Sequence, residues 1–325
     1  MKPLRMLSWP LMALLLLLSP TLFGGSSALY SVCTTIAIFA VMAYGLDLIV
    51  SDLGEVSLAH PVFFAVGAYT AAIASTRYGL GPIETLVLSI IVVLGVVGFI
   101  AFVTLRLHSF IFSLVTYAVT VVAMTLASNW AFLGGSDGIP GIPAFEVFGY
   151  RAVNEAQLWP IAWGLLLVTL ILVVAFRRSK MGYAAMTVHL NPALARSSGI
   201  SPERIRMQVF LASAPITASA GWLYAYQRAY VSADILSPYF LILMLTAVVL
   251  VGRRYILAPL AGIAIILFQE RFLSYGAYVD RIILGSVLVL VLSFLPGGLV
   301  GLFRDLNRRI GRSRQPHAES QTLKT

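Results

Sequence analysis

With 325 residues, 59% hydrophobic and only 11% charged, the chain departs strongly from an average soluble domain, in which about 45–50% and about 25% are usual. Its apolar residues come in runs of roughly 15 to 24 between short polar breaks, the pattern of a helical polytopic membrane protein; residues 11–18 and 284–295 are apolar on every face, which excludes an alternating outer-membrane barrel. The net charge of +9 sits between apolar runs and in the tail, which points to membrane orientation rather than to nucleic acid.

Residues 7–23, behind Lys2 and Arg5, resemble a signal peptide. They are retained as the first span, because removing them breaks the charge pattern below. The following spans are expected at 28–50, 61–75, 85–105, 110–133, 158–176, 207–230, 239–251, 258–272 and 281–301, ten in all. Three of them, at 61–75, 239–251 and 258–272, fall short of the roughly 20 residues a spanning helix needs and read as broken, re-entrant or buried. Ten spans put both termini on one side. With cytoplasmic termini, 17 Lys and Arg lie inside and 5 outside, so that orientation is expected. The expected fold class is therefore an all-α polytopic transmembrane helical bundle over 1–303, followed by a basic, disordered cytoplasmic tail at 304–325.

Four polar or small-residue segments carry the remaining information. In LDLIVSDLGEVSLAH, ending at His60, Asp47, Asp52 and Glu55 stand at membrane depth, where acids are costly unless they face protein or water. Asp52 and Glu55 read first as caps of the next helix start. The alternatives are a substrate path lined by Glu55, Ser57 and His60, or a proton relay. The outer segment 134–157 contains GGSDGIPGIP and is expected to form an ordered cap of turns. The inner segment 177–206 is Ala-rich at first and predicts a short amphipathic surface helix, ended or kinked at Asn191-Pro192. In 207–230, Ser213, Thr217, Gly221 and Ala225 recur every four residues, a small face for close helix packing first and a path-lining stripe through Ser213 and Thr217 second. Trp222, Tyr224, Tyr226 and Tyr230 read as membrane-interface anchors, and Gly297 with Gly301 as a GxxxG on the last span.

Chemistry of the chain's own is not indicated. There is no GxxxxGK[ST] loop, so ATP coupling requires a partner, and His60, His108, His189 and His317 form no HExxH. The single Cys33 permits no disulfide or CxxC site within the chain. Ser57 and His60 are three apart but read as an interface turn rather than a peptidase pair. No cofactor or metal site is expected.

Four stretches carry a family resemblance. GLDLIVSDLGEVSLAHPVFFAVGAYTAA at 45–72, LRLHSFIFSLVTYA at 105–118 with SNWAFLGGSDGIPGIP at 128–143, the inner segment at Gly182, Ala184, Asn191, Ala195, Arg196, Gly199 and Ile200, and FLPGGLVGL at 294–302 occur in the family's order. The chain resembles the permease subunits of bacterial ABC importers of the branched-chain amino acid type, specifically the second permease of the pair. The resemblance implies an inner-membrane heterodimer with a second permease subunit, fed by a periplasmic solute-binding protein and driven by two cytoplasmic ATPase subunits. It makes 134–157 a periplasmic loop and 177–206 the coupling segment, with Gly182, Ala184, Asn191, Arg196 and Gly199 at the ATPase. The turn VGRRYILAP at 251–259 keeps only Gly252 and Pro259 of a Gly-rich pattern. The rival reading is a stand-alone secondary transporter coupled to protons through Asp47 and Glu270.

Overall fold

The computed structural model describes residues 24–104, 109–272, 276–295 and 297–302, with Leu17, Pro20 and Thr21 ahead of them. The rest of the expected first span at 7–23, Arg106, His108 and the tail at 304–325 lie outside the described residues. Eleven α-helices follow in order: α1 Ser27–Asp47, α2 His60–Tyr78, α3 Pro82–Thr104, α4 Ser109–Asn129, α5 Glu155–Arg178, α6 Lys180–Leu190, α7 Pro192–Ser197, α8 Pro202–Arg228, α9 Pro238–Val251, α10 Ala258–Phe272 and α11 Ala277–Phe294.

Local chemistry sets most of these ends. The Ser26 hydroxyl accepts from the Leu29 amide at the start of α1, and Asn154 with Gln157 forms a capping box at the start of α5. Proline occupies the first turn of α2, α7, α8 and α9, where a missing N–H costs nothing. The Asn191-Pro192 break appears as expected: Asn191 ends α6, and its side chain accepts from the Ala193 and Leu194 amides to cap α7.

Each expected span from 28–50 onward falls on a helix, and the fold is all-α and polytopic. Among the described residues, Ser27–Leu53, Pro82–Phe102, Phe110–Asn129 and Glu155–Arg178 are long and apolar enough to cross a membrane. The 14 residues of α9 reach only about 21 Å at 1.5 Å per residue, short of the roughly 30 Å of hydrocarbon. That helix is instead buried between α1, α10 and α11.

The core forms around α1, α2 and α8. Gly221 on α8 lies so close to α2 that a Cβ there would collide with the Phe64 carbonyl oxygen, so the small-residue face of α8 is a packing face. Outward of that crossing, Phe39, Phe64, Tyr224 and Phe240 join α1, α2, α8 and α9 with ring centroids 5.3 to 6.4 Å apart. Segment 134–157 folds as an ordered set of turns and short strands. Ile139–Pro140 pairs antiparallel with Tyr230–Val231, and Phe145–Val147 with Tyr150–Ala152.

Two expectations are corrected. Trp222 and Tyr226 are not interface anchors: they are 5% and 7% exposed. The Trp222 indole donates to the Pro82 carbonyl and to the Thr85 hydroxyl, each at 3.0 Å, and Tyr226 shares a 2.9 Å hydrogen bond with the same hydroxyl. Nor do Gly297 and Gly301 form a helix-packing motif along the last span, because α11 ends at Phe294. The close contact in this region belongs to Gly298, where a Cβ would stand 2.6 Å from the Gly252 Cα; Gly252 itself has a φ of 137°, and a Cβ there would stand 3.0 Å from the Gly297 carbonyl oxygen.

Candidate functional site

The polar segment after α1 does not end that helix in the usual way. The chain continues as a π-helical turn over Leu48–Leu53, reverses at Gly54 with φ of 73°, and runs without helix until His60. Buried non-helical backbone needs partners from neighbouring side chains. Three hydroxyls on one face of α4 supply them. Ser113 donates to the Val56 carbonyl at 2.7 Å, Thr116 accepts from the Leu58 amide at 3.1 Å, and Thr120 donates to the Leu58 carbonyl at 2.7 Å.

The acids of this segment form ion pairs rather than caps. The Arg177 guanidinium, at the end of α5, reaches Asp47 at 2.7 Å and Asp52 at 2.9 Å; both aspartates are at most 1% exposed. Ser51 donates to Asp47 at 2.5 Å, and Arg254, in the turn between α9 and α10, lies 3.3 Å from the second Asp52 oxygen. Glu55 lies 2.6 Å from Arg206 in the first turns of α8, as a charge contact rather than an aligned hydrogen bond. The helix start these acids were expected to cap has Ala59 as its N-cap, with no side-chain hydrogen bond. Every acid of the segment therefore faces a guanidinium from another element, Asp47 and Asp52 sharing Arg177, the arrangement that makes buried charge tolerable.

The surface helix α6 is fastened to the same place. Its inward face is Gly182, Ala185 and Val188, three residues apart. A Cβ on Gly182 would collide with the Phe176 carbonyl, and one on Gly54 with the His189 ring. Arg254 donates to the Met186 sulfur at 2.9 Å and, through its carbonyl, accepts from Arg177 at 3.3 Å. The π-helical turn, the end of α5, α6 and the turn before α10 are thus one joined block. Above it, His60 Nε2 lies 3.4 Å from the Ser213 hydroxyl, and Thr217 donates to the Ser213 carbonyl at 3.4 Å. Ser57, His60, Ser213 and Thr217 are all fully buried.

A model of the family described as branched-chain amino acid transport system, permease component, matches residues 28–292. The chain belongs to this family. High-affinity branched-chain amino acid transport system permease protein LivM of Salmonella typhimurium is 27% identical to it, over 95% of this chain and 78% of the relative. LivM of Escherichia coli is 27% identical over 90% and 75%, and the probable permease LivH of Methanocaldococcus jannaschii 25% over 85% and 93%. No solved structure matches it.

The permease is therefore a multi-pass membrane protein and a transport component, part of a transporter with other components. Its geometry distributes the residues singled out in the sequence between two places. Ser57, His60, Ser213 and Thr217 are buried in the seam where α1, α2 and α8 pack, and Glu55 belongs to the charged block below. In the inner segment, Gly182 faces inward and Ala184 is half-buried. Asn191 caps α7, Arg196 pairs with Glu203 at 2.6 Å, and Gly199 has a φ of 79° in the turn that ends α7. The outward face of the permease's inner segment is instead made by Tyr183, Leu190 and Leu194, 68%, 71% and 58% exposed.

The sequence reading uses Arg177, Arg206 and Arg254 for orientation alone and assigns them no site. The missed signal was that membrane acids pair. Three acids and three arginines assigned to the same face already suggested a network.

Proposed function

We propose that this permease is the second membrane subunit of an ATP-driven importer for branched-chain amino acids or related small polar solutes, in a bacterial inner membrane. It has ten spans over 1–303 and cytoplasmic termini. Its partners are a second permease subunit, two cytoplasmic ATPase subunits and a periplasmic solute-binding protein received by the 134–157 cap. The residues of the buried seam line the moving helix contacts beside the path, and the permease holds no cofactor of its own.

One observation carries this reading: the inner helix pair α6–α7 is fastened inward to the ion-paired block while it turns Tyr183, Leu190 and Leu194 outward. Large exposed apolar side chains on an otherwise polar face mark a docking surface. A push on that surface reaches α1, α5, α8 and the α9–α10 turn through charge contacts instead of through a flexible loop. The proton-carrier reading has less support, since Asp47 is held by Arg177 and the Glu270 carboxylate accepts the Tyr239 hydroxyl between its two oxygens.

The test is Leu190→Glu combined with Leu194→Glu. Both side chains are exposed, so the variant reaches the membrane in normal amounts, and ATP-driven uptake of labelled leucine falls at least tenfold. Undiminished uptake, or uptake by the purified chain alone on a proton gradient, overturns the proposal.

A further inference from the structure

A cavity of about 400 Å³ between α2, α3 and α4 is walled by side chains such as Val66, Ala123 and Trp130 and carries no charge with which to read a polar solute. A second pocket, about 240 Å³, has a different character. It lies at the end opposite the ion-paired block, between the first turns of α1 and the last turns of α8 and α10. Ser31, Thr35, Arg228, Glu270 and Arg271 face it, with Val32 and Leu267 as the apolar part of the wall. Its volume is below the roughly 300–1,000 Å³ of sites for drug-sized ligands and suits a small solute.

The polar wall is held in place from behind. Gln227 donates to the Thr35 hydroxyl at 3.0 Å, Ser31 donates to Glu155 at 3.2 Å, and Tyr239 holds the Glu270 carboxylate at 2.8 and 2.9 Å. Arg228 lies 5.6 Å over the Tyr224 ring. Among the described residues neither Arg228 nor Arg271 has a salt-bridge partner. The other outer arginines of the expected topology do not share this pocket: Arg77 donates to the Phe132 carbonyl at 2.9 Å, Arg151 pairs with Glu146, and Arg281 lines a separate apolar-walled pocket. Two guanidiniums outside any of these salt bridges, beside the Glu270 carboxylate on the wall and with Glu155 behind Ser31, present both charges that a zwitterion requires.

We infer that this pocket is a receiving site for a free α-amino acid. Arg228 and Arg271 take the α-carboxylate, for which the guanidinium fork is suited. Glu270 takes the ammonium, and Val32 with Leu267 meets an aliphatic side chain. The inference rests on the importer reading and deepens it, because it states how the solute is recognised by the permease itself.

The test uses the assembled transporter with Ala28→Cys, an exposed position on the pocket wall, in a Cys33→Ala background. A membrane-impermeant thiosulfonate modifies the new thiol, and the probes are L-leucine, leucinamide, which lacks the carboxylate, and isocaproate, which lacks the ammonium. Leucine slows modification at least fivefold, the other two do not, and Arg228→Gln with Arg271→Gln removes the protection. If that double variant does not assemble, Glu270→Gln provides the same loss. Equal protection by all three probes, or by none, overturns the site, as does a purely local role of the arginines at their helix ends, which leaves protection intact in the variants. ATP-driven leucine uptake is measured in parallel. Protection without uptake upholds the site and overturns the importer reading, whereas uptake without protection does the reverse.

Discussion

Arg177 is the residue on which most of the buried charge depends. It is only 11% exposed and contacts two carboxylates that are themselves out of water. Removing one partner of such a cluster strands the others, so Arg177→Met is expected to cost about 3–5 kcal/mol, with Arg177→Lys costing less because one contact survives. Thermal unfolding of the purified protein checks both. At the surface the same chemistry counts for little. The hydrogen bond from Arg196 holds the Glu203 carboxyl below the usual range, so this pair contributes above the ordinary carboxylate pKa and is lost as pH falls through the lowered one. Because both side chains are largely solvated, the gain is below about 1 kcal/mol. Glu203→Gln should therefore melt slightly lower than wild type at neutral pH, and the difference should vanish on acidification.

At the level of elements, the crossing of α2 and α8 and the fastening of α6 set how the chain transmits movement. Gly221 permits backbone contact at the crossing, and Gly221→Leu should destabilise the protein by about 1–3 kcal/mol or more, since the Phe64 carbonyl cannot move without shifting α2. Reduced yield from the membrane and a lower melting temperature are the readout. Gly182 belongs to the same class. A bulky residue there would abolish transport by separating α6 from the end of α5, so its loss would say nothing of an ATPase surface. The substitutions at Leu190 and Leu194 address that surface directly, because neither side chain is needed inside the chain.

For the whole molecule, the 17 to 5 division of Lys and Arg predicts cytoplasmic termini. Reporters fused after Arg178 and after Arg308 should be cytoplasmic, and one between Gly138 and Gln157 external. A cytoplasmic signal from the 138–157 loop would overturn the ten-span arrangement. It would also place the polar pocket beside α10 on the wrong side for an incoming solute.

What the sequence determined by itself is what depends on neighbours along the chain. Apolar run length marked the helices, and Asn191-Pro192 divided the inner segment. Local propensity and hydropathy are enough for each. The family was legible for the same reason, since its motifs are short and ordered. Tertiary structure decided the rest. Whether Asp52 caps a helix or pairs with an arginine turns on Arg177, 125 residues away, and on the turn at Arg254. Whether Trp222 and Tyr226 sit at the membrane interface or in the core turns on Thr85, whose hydroxyl lies between them. Gly182 and Leu190 share one amphipathic helix in the sequence, and only the position of α5 shows which of them faces inward. A charge or an aromatic ring carries the same local preference in either setting. The partner that compensates its desolvation is supplied by folding, at a distance along the chain that no local pattern encodes.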